Sequence, residues 1–227
     1  MRTSILTILA YFVMCSVSYA SDVYITQSGA SLTADINQDG QTNKFGDATT
    51  DVTLTGDNQT LDIDQVGSTN TIAASVVGAT QELTINQAGS SNTSTVSVGA
   101  NSAADDNSII QAITGSSNTT TVNVGSSAAS SDADIDLVAT GSSNTVTINE
   151  NSTASMIGSD KKITSITAIG SSNTITSTHI GAADQDTTLH HTGSSSTFAI
   201  TQDGAHDGSV SITTVGSGHN VTVTMDD

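Results

Sequence analysis

The residues best suited to chemistry are few and scattered. His190 and His191 are the only adjacent histidines, while His179, His206 and His219 stand apart. Imidazole can bind a metal or transfer a proton, but a working site needs several such groups at defined distances. The scatter favours solvated histidines in turns over a metal or catalytic site. We therefore predict no enzyme activity, no metal and no cofactor.

One acidic stretch resembles the start of a calcium-binding loop. Asp35, Asn37 and Asp39 alternate with other residues and are followed by Gly40, as at the start of an EF-hand loop. The twelfth position of such a loop requires a bidentate acid and is Gly46 here. No helical periodicity flanks the stretch. Specific calcium binding is not predicted, and loose binding of divalent ions along acidic turns is the alternative.

A repeated motif organises the rest of the chain. It consists of glycine, two variable residues and asparagine, and it returns about every 25 residues. The asparagine stands three residues after the first six of its glycines, at Asn43, Asn70, Asn92, Asn118, Asn144 and Asn173, and is replaced after the last two; the glycines are Gly40, Gly67, Gly89, Gly115, Gly141, Gly170, Gly193 and Gly216. Between the turns, apolar residues alternate with polar ones, which is typical of strands. We predict an all-β solenoid of about eight stacked strand-turn-strand coils.

Three repeats carry a glutamine two residues before the glycine, at Gln38, Gln65 and Gln87. Side chains two apart on a strand share one face, so these glutamines are predicted to point inward with the apolar residues. Stacked in register at about 4.8 Å per coil, the Gln and Asn side chains would form amide ladders. Residues 23–29 repeat the same pattern and are predicted to be the matching strand of a shortened first coil.

Residues 1–20 have the features of a secretory signal peptide. A basic start precedes an apolar core at 5–17, and small residues precede position 21. Cleavage there would leave 21–227 as one repeat domain and would remove the only cysteine. A lipoprotein anchored through Cys15 is the alternative, which Met14 before it disfavours. No later apolar run is long enough to span a membrane, so we predict a secreted protein without a transmembrane segment.

The chain is strongly acidic and poor in aromatic residues. It has 22 Asp and Glu against 4 Lys and Arg, a net charge of −18, and 3% aromatic residues. Such a chain would repel phosphate backbones and lacks stacking platforms, so nucleic-acid binding is not predicted. The acidic runs Asp105-Asp106 and 132–136 are predicted to lie in outer turns, where variation in length is tolerated.

Neither end of the predicted solenoid carries a polar cap. The first strand begins close to residue 21, and the strand at 221–225 is followed by Asp226 and Asp227. Open strand edges favour pairing with another chain, and natural solenoids usually cover them. End-to-end stacking into a homopolymer is therefore predicted, and a monomer whose turns hide its ends is the alternative.

The segments Gln38-x-Gly40-x-x-Asn43, Gln65-x-Gly67-x-x-Asn70 and Gln87-x-Gly89-x-x-Asn92 resemble the Q-x-G-x-x-N core of curlin repeats. The chain is in this respect similar to the curli-type subunits of bacterial extracellular amyloid fibres. The resemblance implies export, strand-turn-strand coils and fibre building in a cell-surface or biofilm matrix. It adds a nucleator subunit and an outer-membrane secretion apparatus as candidate partners. Curlin repeats carry a second glutamine six residues after the asparagine, and here those positions hold Thr49, Val76, Val98, Val124, Glu150 and His179.

Four successive repeats place the pattern T-x-T directly after the asparagine, where it is predicted to face solvent. A regular array of outward threonines resembles the surface of β-solenoid ice-binding proteins. The alternative is that threonine is simply a favourable exposed strand residue. A secreted monomer that binds ice or acts as an adhesin is therefore the alternative function. The threonines are Thr93, Thr95, Thr119, Thr121, Thr145, Thr147, Thr174 and Thr176.

Overall fold

The structure, a computed structural model, describes residues 10–14, 21–46, 52–78, 80–99, 107–125, 133–151, 161–181, 184–204 and 208–226. Within these ranges it contains β-strands and no helix. Several features predicted from the sequence lie outside the described residues. They are the cleavage site at 18–20, Cys15, Thr49, His206, Asp227, the acidic run Asp105-Asp106 and the first residue of the run at 132–136. The rest of that second run lies in the strand Ala133–Thr140, so its prediction as an outer turn is wrong.

The strands alternate between two sheets. In chain order they are β1 Ala10–Met14, β2 Ser21–Val23, β3 Thr26–Ser28, β4 Leu32–Asp39, β5 Thr42–Phe45, β6 Val52–Thr55, β7 Gln59–Val66, β8 Thr69–Val77, β9 Gln81–Ala88, β10 Ser91–Val98, β11 Asn107–Thr114, β12 Ser117–Val124, β13 Ala133–Thr140, β14 Ser143–Asn151, β15 Lys161–Gly170, β16 Ser172–Ile180, β17 Asp184–Ser194, β18 Thr197–Asp203, β19 Gly208–Ser217 and β20 Asn220–Asp226. Sheet A has the order β1-β4-β7-β9-β11-β13-β15-β17-β19. Sheet B has the order β2-β5-β8-β10-β12-β14-β16-β18-β20, with β3 pairing β6 and β6 pairing β8.

Neighbouring strands within each sheet are parallel and in register, so equivalent residues of successive coils lie side by side. Asn118 aligns with Asn92 on one side and with Asn144 on the other, each 26 residues away. The predicted all-β solenoid of stacked strand-turn-strand coils is confirmed. Its repeat matches the spacing that the glycines predicted.

The core lies between the two sheets and follows the two-residue alternation of the sequence. In β7, Leu61 and Ile63 are buried while Asp62 between them is exposed. The same alternation of inward and outward residues recurs in β10, β12 and β13. Rows of Val, Ile and Leu from successive coils therefore form one continuous hydrophobic core.

The turn glycines are required because successive coils approach each other through the backbone. A Cβ atom added at Gly193 would lie 1.7 Å from the carbonyl oxygen of Gly170. Gly193 also has a φ of +156°, which residues with a Cβ rarely adopt. Glycine at this turn is therefore a packing requirement of the stack.

The prediction for residues 23–29 is wrong. β2 and β3 belong to sheet B and pair with β5 and β6, so Gln27 aligns with Leu54 and not with Gln38. The physical reason is chain length, since β3 and β4 are separated by a short turn that carries the chain to the opposite sheet. Only after a full coil of about 26 residues does the chain return to the same sheet.

β1 lies inside the segment predicted to be a signal peptide. It pairs in parallel with β4, with Ala10 aligned to Ala34 and Met14 aligned to Gln38. In this chain, residues 10–14 therefore cover the edge of β4 that faces away from β7.

Candidate functional site

Two ladders of amide side chains run through the interior at the glycine turn. Gln65 Nε2 donates to Gln38 Oε1 at 2.7 Å, and Gln87 Nε2 donates to Gln65 Oε1 at 3.0 Å. The asparagine ladder is longer and extends from Asn70 to Asn173, with Nδ2 to Oδ1 distances of 2.7 to 3.0 Å. Buried amides that satisfy one another in this way fix the register of the coils, because a slip would leave several of them without partners.

The asparagine ladder ends against a buried histidine. His191 Nε2 lies 2.8 Å from Asn173 Nδ2 and 2.9 Å from Ser196 Oγ. The His191 ring also packs on Phe198, with ring centroids 5.0 Å apart. Burial lowers the pKa of His191, His219 lowers it further, and a hydrogen bond with the Gly170 backbone partly opposes both. A neutral imidazole thus continues the polar ladder in this coil.

The prediction that the histidines lie in solvated turns is therefore wrong for His179 and His191. His191 and His179 are buried and point inward from strands β17 and β16, whereas His190 is exposed on β17. The positions of these histidines along the chain did not indicate their burial, because the inward positions of different strands are brought together only when the coils stack. The described residues nevertheless contain no group of three or more His, Cys, Asp and Glu that could hold a metal ion.

The T-x-T residues form a regular outward array on sheet B. Thr93, Thr119, Thr145 and Thr174 align across four neighbouring strands, and Thr95, Thr121, Thr147 and Thr176 form a second aligned row. The first row is exposed, and the second is exposed at Thr95 and half-buried at its other members. The next outward row of the same strands consists of Ser97, Asn123, Asn149 and Thr178, so these three outward rows carry no charge.

The two ends of the solenoid differ in what they leave exposed. At the C-terminal end, the inward side chains of β20 have no further coil above them among the described residues, and Val221, Val223 and Met225 are 45%, 42% and 51% exposed. At the other end, Val23 and Ile25 are partly buried against the core. Apolar side chains at inward positions are thus exposed at the C-terminal end and only partly buried at the other end.

A polar cluster that sequence analysis missed lies six residues after the third residue that follows the repeat glycine. Glu150, His179 and Gln202 align in consecutive coils and are buried. His179 Nδ1 lies 2.5 Å from Glu150 Oε2, and His179 Nε2 lies 2.7 Å from Ser177 Oγ. The sequence did contain an indication of this cluster. Two successive repeats carry an ionisable residue, Glu150 and then His179, at an inward position that holds valine in the three repeats before them.

Lys162 is a second unusual residue of this region. It is 1% exposed, and its Nζ atom has no hydrogen-bond partner among the described residues. Burial lowers its pKa, and the carboxylate of Glu150 partly offsets this. In sheet A it aligns with Ala133 and Gln185, so an ionisable amine occupies an inward position held by small or neutral residues in adjacent coils.

The stretch that resembled a calcium loop forms part of a flat strand. Asp35, Asn37 and Asp39 all lie on the exposed face of β4, so their oxygens spread along the strand and do not surround one point. Although the Asp62 side chain is exposed, partial desolvation of its carboxyl group raises its pKa, and the carboxylates of Asp64 and Asp35 raise it further. The arrangement concentrates negative charge on one part of sheet A.

The described residues contain no helix that is long and apolar enough to cross a membrane. Comparison with protein-family models, with curated proteins and with solved structures finds no match for this chain.

Proposed function

We propose that the protein is an exported structural subunit that stacks end to end into curli-like extracellular fibres of a cell-surface or biofilm matrix. The observation that carries this proposal is the exposure of inward apolar side chains on β20, where Val221, Val223 and Met225 are about half exposed. A soluble solenoid normally covers such an end with a polar cap. Here the end presents the same rows that bury each coil against the next.

The two ends of the mature chain match in register. Val221 aligns with Phe198 in the row that begins with Val23 and Phe45. A second copy placed on β20 would thus put its Val23 over Val221 of the first copy. In sheet A, the strand that precedes β4 is β1, so without residues 10–14 the β4 strand of that copy would lie one strand spacing beyond the neighbour position of β19. The junction would therefore be paired through sheet B, with Ile36 in the same row as the partly buried Ile212.

Electrostatic repulsion between copies opposes this assembly. A chain with a net charge of −18 repels its copies, and Asp35 and Asp39 lie on the strand of sheet A nearest the junction. Each half-exposed apolar side chain buried at the junction contributes about 1 kcal/mol, in addition to strand pairing. At physiological ionic strength, charges farther apart than about 8 Å are largely screened. We therefore expect assembly to be slow at low salt and faster as salt rises.

In the full chain, β1 covers the β4 edge. The proposal takes residues 1–20 to be removed before assembly. We infer that this happens on export, as the signal-peptide pattern implies.

The test is electron microscopy of residues 21–227 incubated at several salt concentrations, with and without millimolar calcium. Unbranched fibres with a strand repeat along the axis are expected. Val223→Asp, on the inward face of β20, should abolish fibres, whereas Thr222→Asp, on its outward face, should leave them. Circular dichroism checks that both variants remain folded. Monodisperse wild-type particles under every condition would contradict the proposal.

The aligned threonines favour a second candidate function. Two uncharged rows of Thr at the spacing of parallel strands suit a secreted monomer that binds ice, and an adhesin could use the same face. Ice binding predicts that the soluble monomer reshapes ice crystals and that bulky residues at Thr121 and Thr147 abolish the effect. The same substitutions should leave end-to-end fibres intact, so the two functions are separable.

A further inference from the structure

Hydrogen bonds connect four buried side chains between the sheets in an order suited to a covalent reaction. Gln202 Nε2 donates to Thr187 Oγ1 at 3.2 Å, and Thr187 Oγ1 lies 3.1 Å from His179 Nε2. On its other side, His179 Nδ1 lies 2.5 Å from Glu150 Oε2. A hydroxyl beside an imidazole that is oriented by a carboxylate is the arrangement that activates serine and threonine as nucleophiles. Here a carboxamide is the group placed beside that hydroxyl.

The hydrogen bonds assign the histidine tautomer that the reaction needs. The Glu150 carboxylate can only accept, so Nδ1 of His179 carries a proton, and Nε2 faces two hydroxyls, Ser177 Oγ at 2.7 Å and Thr187 Oγ1 at 3.1 Å. The carboxylate is itself held in place, because its Oε1 accepts a hydrogen bond from Thr164 Oγ1 at 3.2 Å. Glu150 therefore acts as a positioning residue for the imidazole.

The carboxamide of Gln202 is held with its nitrogen inward. Nε2 also donates to the backbone oxygens of Gln185 at 3.0 Å and Ser209 at 3.2 Å. Since Cδ is one C–N bond of about 1.33 Å from Nε2, it lies within about 4.5 Å of Thr187 Oγ1. Bond formation begins at roughly 3 to 3.5 Å, so the Gln202 side chain must leave some of these hydrogen bonds and turn its carbonyl carbon toward Thr187 Oγ1.

The surroundings favour a hydroxyl over water as the attacking group. Glu150, His179, Thr187 and Gln202 are at most 3% exposed. The Gln202 Oε1 atom is buried and has no hydrogen-bond partner among the described residues. An unpaired buried amide oxygen is costly, and an ester oxygen in its place, being a weaker acceptor, costs less. Exclusion of water also protects an ester from hydrolysis once it has formed.

We propose that Thr187 and Gln202 join spontaneously in an internal ester bond. Thr187 Oγ1 attacks Gln202 Cδ and forms the new C–O bond, while the hydroxyl proton passes to His179 Nε2. The C–N bond of the carboxamide then breaks, and His179 returns the proton to the leaving nitrogen. One molecule of ammonia is released, and no oxidant, reductant or cofactor is consumed. The product links β17 to β18 across the interior of one coil.

The cross-link does not depend on fibre formation. It closes residues 187–202 into a covalent ring that includes the glycine turn between sheets A and B. In a chain under tension or heat, this coil would remain closed after neighbouring hydrogen bonds had broken. A secreted protein with no cysteine after residue 20 has no disulfide for the same purpose.

The test is the mass of one peptide from the folded, purified protein. Cleavage before Asp186 and Asp203 yields the peptide 186–202, in which Gln202 is the only amide side chain. We expect this peptide to be lighter than its sequence mass by one molecule of ammonia, and to react with hydroxylamine, which cleaves esters. A wild-type peptide at full sequence mass would overturn the proposal whatever the variants do.

Three variants identify the nucleophile. Thr187→Val should restore the full mass, and Thr187→Ser should retain the loss of ammonia. Ser177 is the matched control, because its hydroxyl also lies 2.7 Å from His179 Nε2 but makes none of the hydrogen bonds of Gln202. Ser177→Ala should therefore retain the loss. Loss of ammonia that persists in Thr187→Val, or a peptide 186–202 joined to one that contains Lys162, would exclude the Thr187 ester.

Discussion

Asn118 joins three coils through its side chain. Its Oδ1 accepts from Asn92 Nδ2 at 2.9 Å, and its Nδ2 donates to Asn144 Oδ1 at 2.7 Å. Nδ2 also donates to the backbone oxygen of Thr140 at 3.1 Å. Because the side chain is 3% exposed, no water can replace these partners without opening the turn. The asparagine of each repeat is therefore a contact between coils as much as a residue of its own turn.

Asn118→Ala should destabilise the folded protein by about 2 to 4 kcal/mol, because it removes three hydrogen bonds of a buried side chain, including the one that Asn92 donates to it. Urea unfolding followed by circular dichroism measures the change. The control is Thr119→Ala on the exposed side of the same strand, for which a change below about 0.5 kcal/mol is expected. Equal effects of the two substitutions would mean that the ladder contributes nothing to stability.

Gly193→Ala should prevent folding or destabilise the protein by more than about 3 kcal/mol, because the added methyl meets a backbone oxygen of the adjacent coil. Gly40→Ala is the matched control. A Cβ there lies 3.2 Å from the side-chain oxygen of Asn43 and meets no backbone atom of another coil. We expect Gly40→Ala to lower the thermal midpoint only slightly, and a larger loss than for Gly193→Ala would contradict the proposed packing.

Asp62→Asn should stabilise the protein at pH 7. Partial desolvation, followed by Asp64 and Asp35, raises the pKa of Asp62 above its ordinary 3.8, so the folded state disfavours its carboxylate form. This penalty is absent at a pH below 3.8 and is complete above the raised pKa, so the gain from Asp62→Asn should disappear in acid. Salt should reduce the part that comes from Asp64 and Asp35.

The control for Asp62 is Asp136→Asn, since Asp136 aligns with Ile110 and Ser165 and not with other carboxylates. Unfolding curves at pH 3 and pH 7 compare the two variants. A gain at pH 7 that is the same for both would show that only net charge matters.

His191→Gln should make stability less sensitive to acid. The pKa of buried His191 is lowered from its ordinary 6.5, so its contribution is complete above pH 6.5 and is lost as the pH falls through the lowered value. Glutamine is a suitable replacement, because Gln38, Gln65 and Gln87 occupy the same interior row. Thermal midpoints between pH 7 and pH 4 should fall less in the variant than in the wild type. His190→Gln, at the exposed neighbouring position, should leave the wild-type pH dependence in place.

The interior of the later coils shows which features the repeat pattern predicts and which it does not. Gln87 of one coil is followed in the same row by Ile113, Ala139 and Ala168, and then by His191. The motif identified the row correctly, because its position relative to the turn glycine is local information. It did not indicate that a histidine would restore a polar contact four coils later, because that depends on which side chains stacking brings within reach.

The amino-acid sequence by itself determined the strand type, the inward and outward faces, the glycine turns and the outward threonines. These follow from alternation over two residues and from a spacing of about 25, both of which are local patterns. Only the tertiary structure decided that residues 23–29 join sheet B and that Glu150 meets His179, Thr187 and Gln202. Such contacts depend on the length of the outer turns and on the register between coils. Both are set by packing across coils, which no local pattern specifies.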